Sequence, residues 1–171
     1  MPKLTADQLK EIWTIRELAP YLYLCAGCAI ISDKRKIISM GITCIVNISS
    51  ELNTKINDKR INYIHLPVID TPRTNLSCYF PVIANLIQAN AEAGGKTIIH
   101  CVLGVSRSAS LCIAYFIKYY NQTLEEAFDW VRSQRFIINP NVGFRKQLKQ
   151  YEQDLTEQVP PPWQKLVKKR R

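Results

Sequence analysis

Residues 97–111 read TIIHCVLGVSRSASL. The apolar pair Ile98 and Ile99 reads as a short buried strand that ends in His100 and Cys101. A small-residue loop follows, and an apolar helix opens at about Arg107. A strand, a turn rich in backbone N–H groups and a helix N-terminus together make an anion site, because the amides point inward and the helix dipole favours negative charge. Into that site the sequence puts a thiol at Cys101 and, six residues later, a guanidinium at Arg107. The amides and dipole that hold an anion also stabilise a thiolate. Arg107 offers a planar fork matched to two phosphate oxygens. Val102, Leu103, Gly104, Val105 and Ser106 suffice to wrap one tetrahedral anion, Gly104 letting the backbone come close. Ser108 is placed to donate to the sulfur when it must leave. A lone cysteine before a helix is ordinarily a structural one. The surrounding His100, Gly104, Arg107 and Ser108 make nucleophilic chemistry the reading here.

The run HCVLGVSRSAS is similar to the HCxxGxxR[ST] loop of the cysteine-dependent protein phosphatases, in the dual-specificity branch where SRSA is typical. YLYL, GITCIVN, LPVID and PNVGF (Pro140–Phe144) resemble that branch as well. The likeness spans roughly Ala19–Leu155 and points to the small atypical members, which are a catalytic domain with little else.

The resemblance implies two-step hydrolysis of phosphate monoesters. The Cys101 thiolate attacks phosphorus and forms a phosphocysteine, while Arg107 and the amides of Val102–Arg107 hold the equatorial oxygens. Alkoxides and phenoxides leave badly, so a proton donor is needed. VIDTPRTNL (Val68–Leu76) is a loop carrying Asp70, 31 residues before Cys101, where the family places its general acid. Asp58, in a polar loop before a strand, is the weaker candidate. Asp70 then acts as base toward water, and Ser108 stabilises the departing thiolate. His100 orients the thiol and helps acidify it through loop hydrogen bonds, and Asn141 steadies the phosphate loop. Acid before cysteine also separates this chain from the low-molecular-weight cysteine phosphatases, which have the reverse order. The implied reaction needs no metal and no cofactor, since Arg107 and the amides do the charge work. Two departures from the family pattern, Phe136 after Arg135 and Asn139 in place of Arg, alter the substrate-facing surface.

Phosphoproteins, phosphorylated on Tyr or on Ser/Thr, are the expected partners, with kinases of signalling cascades as one candidate group. A lipid phosphatase is the first rival, but apolar Val102, Leu103 and Val105 argue against a polyphosphate headgroup. An RNA 5′-phosphatase is the second; its relatives carry NRT where this chain has SRS, so nucleic acid is not the expected partner. A non-catalytic phosphopeptide scaffold is the third, and such proteins commonly lose the Cys, Arg or Asp retained here.

At 171 residues the chain is expected to form one domain with a proper core. No run is long and apolar enough for a membrane span, and MPKLTADQLKE does not read as a signal peptide. Six cysteines without a secretion signal read as reduced thiols, which suits a thiolate nucleophile and a cytoplasmic location. Cys25 and Cys28 form a CxxC pair with no second pair to complete a zinc site, so structural thiols are expected. The net charge is +9, and five of 23 basic residues lie in the terminal KLVKKRR. That tail reads as a nuclear import signal, a membrane or nucleic-acid contact, or an inert solvated end. Nothing in the sequence indicates an oligomeric state.

The remaining pattern predicts strands near 21–24, 42–48, 62–66 and 97–101. Helices are expected over Ala6–Trp13, Asp33–Met40, Ser77–Ala93, Ala109–Tyr120, Thr123–Arg132 (with a Thr123/Glu126 capping box) and Phe144–Leu155 (with Asn141 as cap). The expected fold is a single α/β domain with a central mixed, mostly parallel sheet of four to five strands and helices on both faces. Residues 1–18 form a lead-in, 19–157 the catalytic domain, and 158–171 a proline-containing basic tail. The active site should lie at the C-terminal end of the 97–101 strand.

Overall fold

A computed structural model describes residues 5–158. KLVKKRR and the proline-interrupted segment before it lie outside the described residues. The order is α1 (Ala6–Ile12), β1 (Arg16–Ala19), β2 (Leu22–Ala26), α2 (Gly27–Ser32), α3 (Lys34–Ser39), β3 (Cys44–Asn47), β4 (Asn62–His65), α4 (Tyr79–Glu92), β5 (Thr97–Cys101), α5 (Arg107–Tyr119), α6 (Leu124–Gln134) and α7 (Val142–Gln158).

The five strands lie in the order β1-β2-β5-β3-β4; β1 runs antiparallel to β2 and the other pairings are parallel. β5 is therefore central, flanked by β2 with Ala26 opposite Cys101 and by β3 with Asn47 opposite His100. Its five residues are all buried, as a strand covered on both faces requires. Alternation sends Ile99 and Cys101 into a large core with α4, α5, α6 and α7, and Ile98 into a smaller one with Ala29, Ile30 and Ile37 from α2 and α3. α5 is apolar nearly all round and is buried from Arg107 to Ile117, so the helix leaving the loop is the spine of the larger core.

Caps account for several boundaries. Thr123 and Glu126 form the expected capping box on α6, Asp33 caps α3 by accepting from the Lys36 amide, and Thr5 with Gln8 boxes α1. The segment read as a lead-in contributes both α1 and β1 to the fold. β1 (RELA) has no β-branched or aromatic residue; pairing with β2 and burial of Leu18 and Ala19 make it a strand. α2 is likewise not announced by the sequence, and it separates the CxxC pair, Cys25 closing into β2 and Cys28 into the helix. Among the described residues no helix is long and apolar enough to cross a membrane.

Candidate active site

The loop between β5 and α5 is shaped by what its carbonyls bond to. Val102 O accepts from the Gly27 amide at 3.2 Å and Val105 O from the Asn139 amide at 2.8 Å. Leu103 O and Gly104 O accept from Arg135 Nη2 at 3.0 Å and Nε at 2.9 Å. Ser106 O accepts from the Ser110 amide and hydroxyl at 2.9 and 2.8 Å. Five consecutive carbonyls are thus tied outward. In a trans peptide the following N–H points the opposite way, so the amides of 103–107 turn toward the concave side. Gly104 has φ +66°, and a Cβ there would sit 2.5 Å from Cys25 O, so both the turn and the packing require glycine.

Cys101 lies at the base of this cradle, 2 % exposed, with Ser108 Oγ donating to its sulfur at 3.1 Å. Arg107, 3 % exposed, donates through Nη1 to Glu51 Oε2 and to Val68 O, both at 2.7 Å. Burial pulls its pKa down, but the Glu51 bond and the negative charges of Cys101, Glu51 and Asp70 hold it above its ordinary value, so it remains a cation. Arg107 Nε is buried and has no hydrogen-bond partner among the described residues; Asp70 Oδ2 lies 3.6 Å away.

Asp70 is brought to the cradle across 31 residues of sequence. Its Oδ1 accepts from Ser106 Oγ at 2.9 Å and from Asn141 Nδ2 at 2.8 Å. Asn141 also donates its amide to Ser106 Oγ at 3.1 Å, and its Oδ1 accepts from the Phe144 amide at 3.0 Å. One residue therefore caps α7, touches the loop and holds Asp70. A Cβ on Gly143 would collide with the Pro72 carbonyl, so the Asp70 loop packs directly on the start of α7. Asp58 is not part of this arrangement. It pairs with Arg60, whose hydrogen bonds hold its pKa down to about 2.

His100 is fully buried behind the loop and does not reach the sulfur by any hydrogen bond. Its Nδ1 faces Cys101 O at 3.3 Å and its Nε2 meets Thr54 Oγ1 at 2.7 Å. A carbonyl only accepts, so Nδ1 carries the proton and Nε2 accepts from the Thr54 hydroxyl. Thr54 is steadied in turn by Tyr63 OH at 3.2 Å, and Tyr63 OH by Asn47 Nδ2 at 2.9 Å. Burial pushes His100 down to about 4, so the ring is neutral at pH 7 and orients the loop by hydrogen bonds rather than by charge.

This burial has a measurable consequence. The unfolded chain takes up the His proton at about 6.5 and the folded chain only at about 4. Stability is therefore present above that window and lost as pH falls through it. The unfolding free energy from urea titration should be about 2 kcal/mol lower at pH 5 than at pH 7. His100→Gln should flatten that slope; an equally steep profile in the variant assigns the dependence to other groups.

Three residues of the site are not visible in sequence reasoning. Glu51 pairs with Arg107 from a loop with no motif. Thr54 reaches His100 from the same loop. Arg135, which has no exposed surface, clamps the two loop carbonyls and also donates to Glu11 O and Thr14 O, both at 3.0 Å. Its role rests on the four carbonyls that this charged residue finds in the core, which the sequence does not display. All six cysteines are free; burial raises the pKa of Cys25, Cys28, Cys44 and Cys112 and keeps those thiols protonated.

The family described as "Dual specificity phosphatase, catalytic domain" matches residues 22–154. Human dual specificity protein phosphatase 14 is 39% identical over 145 residues, covering 85% of this chain and 72% of the relative. Human dual specificity protein phosphatase 21 is 41% identical over 145 residues, covering 85% and 75%. Among solved structures, a mouse dual specificity phosphatase crystallised with zinc tungstate superimposes with a TM-score of 0.79 at 30% identity, covering 84% of this chain and 89% of that one. Human DUSP28 does so with a TM-score of 0.77 at 30% identity, covering 83% and 95%. With the cysteine loop, Asp70 and the buried Arg107 assembled at the C-terminal end of the central strand β5, this chain belongs to the dual specificity phosphatase catalytic-domain family and is a protein phosphatase.

Proposed function

We propose that the enzyme hydrolyses phosphotyrosine and phosphoserine/phosphothreonine in proteins through a phosphocysteine at Cys101. The observation that carries this reading is Arg107 Nε, a buried cationic donor with no hydrogen-bond partner among the described residues, beside a ring of inward-facing amides. Buried donors are ordinarily satisfied, and a tetrahedral oxyanion is the acceptor that this fork and these amides fit. The related mouse enzyme crystallised with tungstate, another tetrahedral oxyanion, supports the same choice.

In the first step the Cys101 sulfur attacks phosphorus, the P–O bond to the leaving group breaks, and Asp70 delivers its proton to that oxygen. Arg107 and the amides of 103–107 hold the three equatorial oxygens as charge moves from one axial atom to the other. In the second step Asp70, now a carboxylate, removes a proton from water. The water oxygen attacks phosphorus and the thiolate departs toward the Ser108 hydroxyl. Asn141 and Ser106 fix the carboxylate over the cradle. Phosphorylated proteins of signalling cascades, kinases among them, are the substrates this reading favours.

The test uses the dependence on leaving group. An alkoxide leaving from phosphothreonine needs the proton far more than an activated phenoxide does. Asp70→Asn is expected to slow phosphothreonine peptides by about 10²-fold and an acidic aryl phosphate by less than about tenfold. Equal slowing of the two substrates would remove Asp70 from the role of acid.

A further inference from the structure

The segment between β4 and α4, residues 66–78, is neither helix nor strand, and it carries Asp70. A proton donor on such a segment works only if the segment is held, since about 1 Å of misplacement can cost about 10²-fold in rate. Near its start Arg107 Nη1 donates to Val68 O at 2.7 Å, and Asp70 itself is held by Asn141 and Ser106. Its far end is gripped by Gln147 on α7. Gln147 Nε2 donates to Thr74 O at 2.8 Å, and Gln147 Oε1 accepts from the Leu76 amide at 2.7 Å and the Ser77 amide at 2.9 Å. Only this orientation of the side-chain amide puts its donor on a carbonyl and its acceptor on two N–H groups, so one side chain uses both its ends on the same stretch of backbone.

The grip reaches Asp70 through a short turn. Thr74 donates its amide to Thr71 O at 3.1 Å, and the hydroxyls of Thr71 and Thr74 share a hydrogen bond at 2.9 Å. Thr71 follows Asp70 directly, so this closed turn lies between the carboxylate and the carbonyl that Gln147 holds. Gly143, on which Pro72 packs, lies four residues before Gln147 and therefore on the same face of α7, one turn away. Leu76 is buried in the larger core, but apolar packing is non-directional and does not orient the peptide planes around it. The three hydrogen bonds of Gln147 do.

We infer that Gln147 is a positioning residue of the reaction, acting through Asp70 by fixing the segment that presents its carboxyl to the leaving oxygen. This rests on the reading of Asp70 as general acid. Gln147→Leu keeps similar bulk and removes all three bonds. It should lower kcat for phosphothreonine peptides by about tenfold with KM unchanged, and slow an acidic aryl phosphate by less than about twofold. Partial unfolding slows both substrates by the same factor, so the ratio of the two rates reports position rather than stability. Gln147→Glu keeps acceptors for the two amides and loses the donor to Thr74 O, and should fall between wild type and Gln147→Leu. Added to Asp70→Asn, Gln147→Leu should cost less than about a further twofold on the phosphothreonine peptide, because a group acting through Asp70 then has no proton donor to place. Unchanged rates or equal slowing of the two substrates in Gln147→Leu, or a full further tenfold loss in the double variant, overturns the proposal and leaves Asp70 as the acid. Slowing by Asp70→Asn that is independent of the leaving group overturns the acid reading and the proposal with it.

Discussion

Cys101→Ser is expected to lower turnover of phosphotyrosine and phosphothreonine peptides by about 10⁴-fold or more, with fold and phosphopeptide affinity retained. The exchange is nearly isosteric at a residue 2 % exposed, so the core around Ile99 and Ala109 keeps its packing. Ser108 still has an acceptor at the same place. Arg107, its Glu51 partner and the loop amides are untouched, so the oxyanion site should bind phosphate as before. What is lost is the nucleophile, because a serine hydroxyl stays protonated at neutral pH without an adjacent base. His100 cannot act as that base, since its two nitrogens are occupied by Cys101 O and Thr54 and neither faces the sulfur. The measurement is peptide hydrolysis with chelator and reductant present, together with a binding titration of the same peptide. Residual turnover above about a hundredth of wild type would falsify the assignment of Cys101 as nucleophile.

The parts of this site that the sequence makes legible are those whose chemistry and spacing are set by local geometry. Cys101, Gly104, Arg107 and Ser108 lie within one strand-loop-helix unit, so their separation in sequence translates directly into the cradle. Asp70 was expected beside the loop because a proton donor is chemically required and the family places one there, and its carboxylate does lie 3.6 Å from Arg107 Nε. Asn141 was readable as a helix cap, a local signal. The missing partners act over long separations from segments with no periodicity. Glu51 meets Arg107 56 positions away and Thr54 meets His100 46 positions away. The fold shows the same division. Buried strands and amphipathic or capped helices are self-announcing, whereas β1 exists through its pairing with β2, and α2 is a six-residue helix without a side-chain cap.

The second large effect is on stability. Arg135→Met is expected to lower the unfolding free energy by about 3–5 kcal/mol, measured by urea titration at pH 7. Methionine fills much of the volume, so packing is not the main loss. The wild-type guanidinium satisfies the carbonyls of Leu103, Gly104, Glu11 and Thr14, and lies 3.5 Å from Glu11 Oε1. A methionine leaves the carbonyls of Leu103, Gly104 and Thr14 without donors in a buried setting, and each such group costs about 1–3 kcal/mol, while Glu11 O keeps the Thr14 amide at 3.0 Å. Glu11, 3% exposed, keeps its bonds to Arg16, which limits the cost on that side. Arg135→Lys is expected to recover only part of the loss, because one ammonium cannot span acceptors lying in several directions. The two loop carbonyls also link stability to catalysis. Released from Arg135, they no longer hold the amides of 104 and 105 toward the oxyanion, so kcat of the folded fraction should fall by about tenfold or more. A methionine variant within about 1 kcal/mol of wild type would show that water replaces the guanidinium at no cost and that α1 is not anchored to the loop through it. Full activity in a destabilised variant would separate the two roles, leaving Arg135 as a support of the core rather than of the cradle.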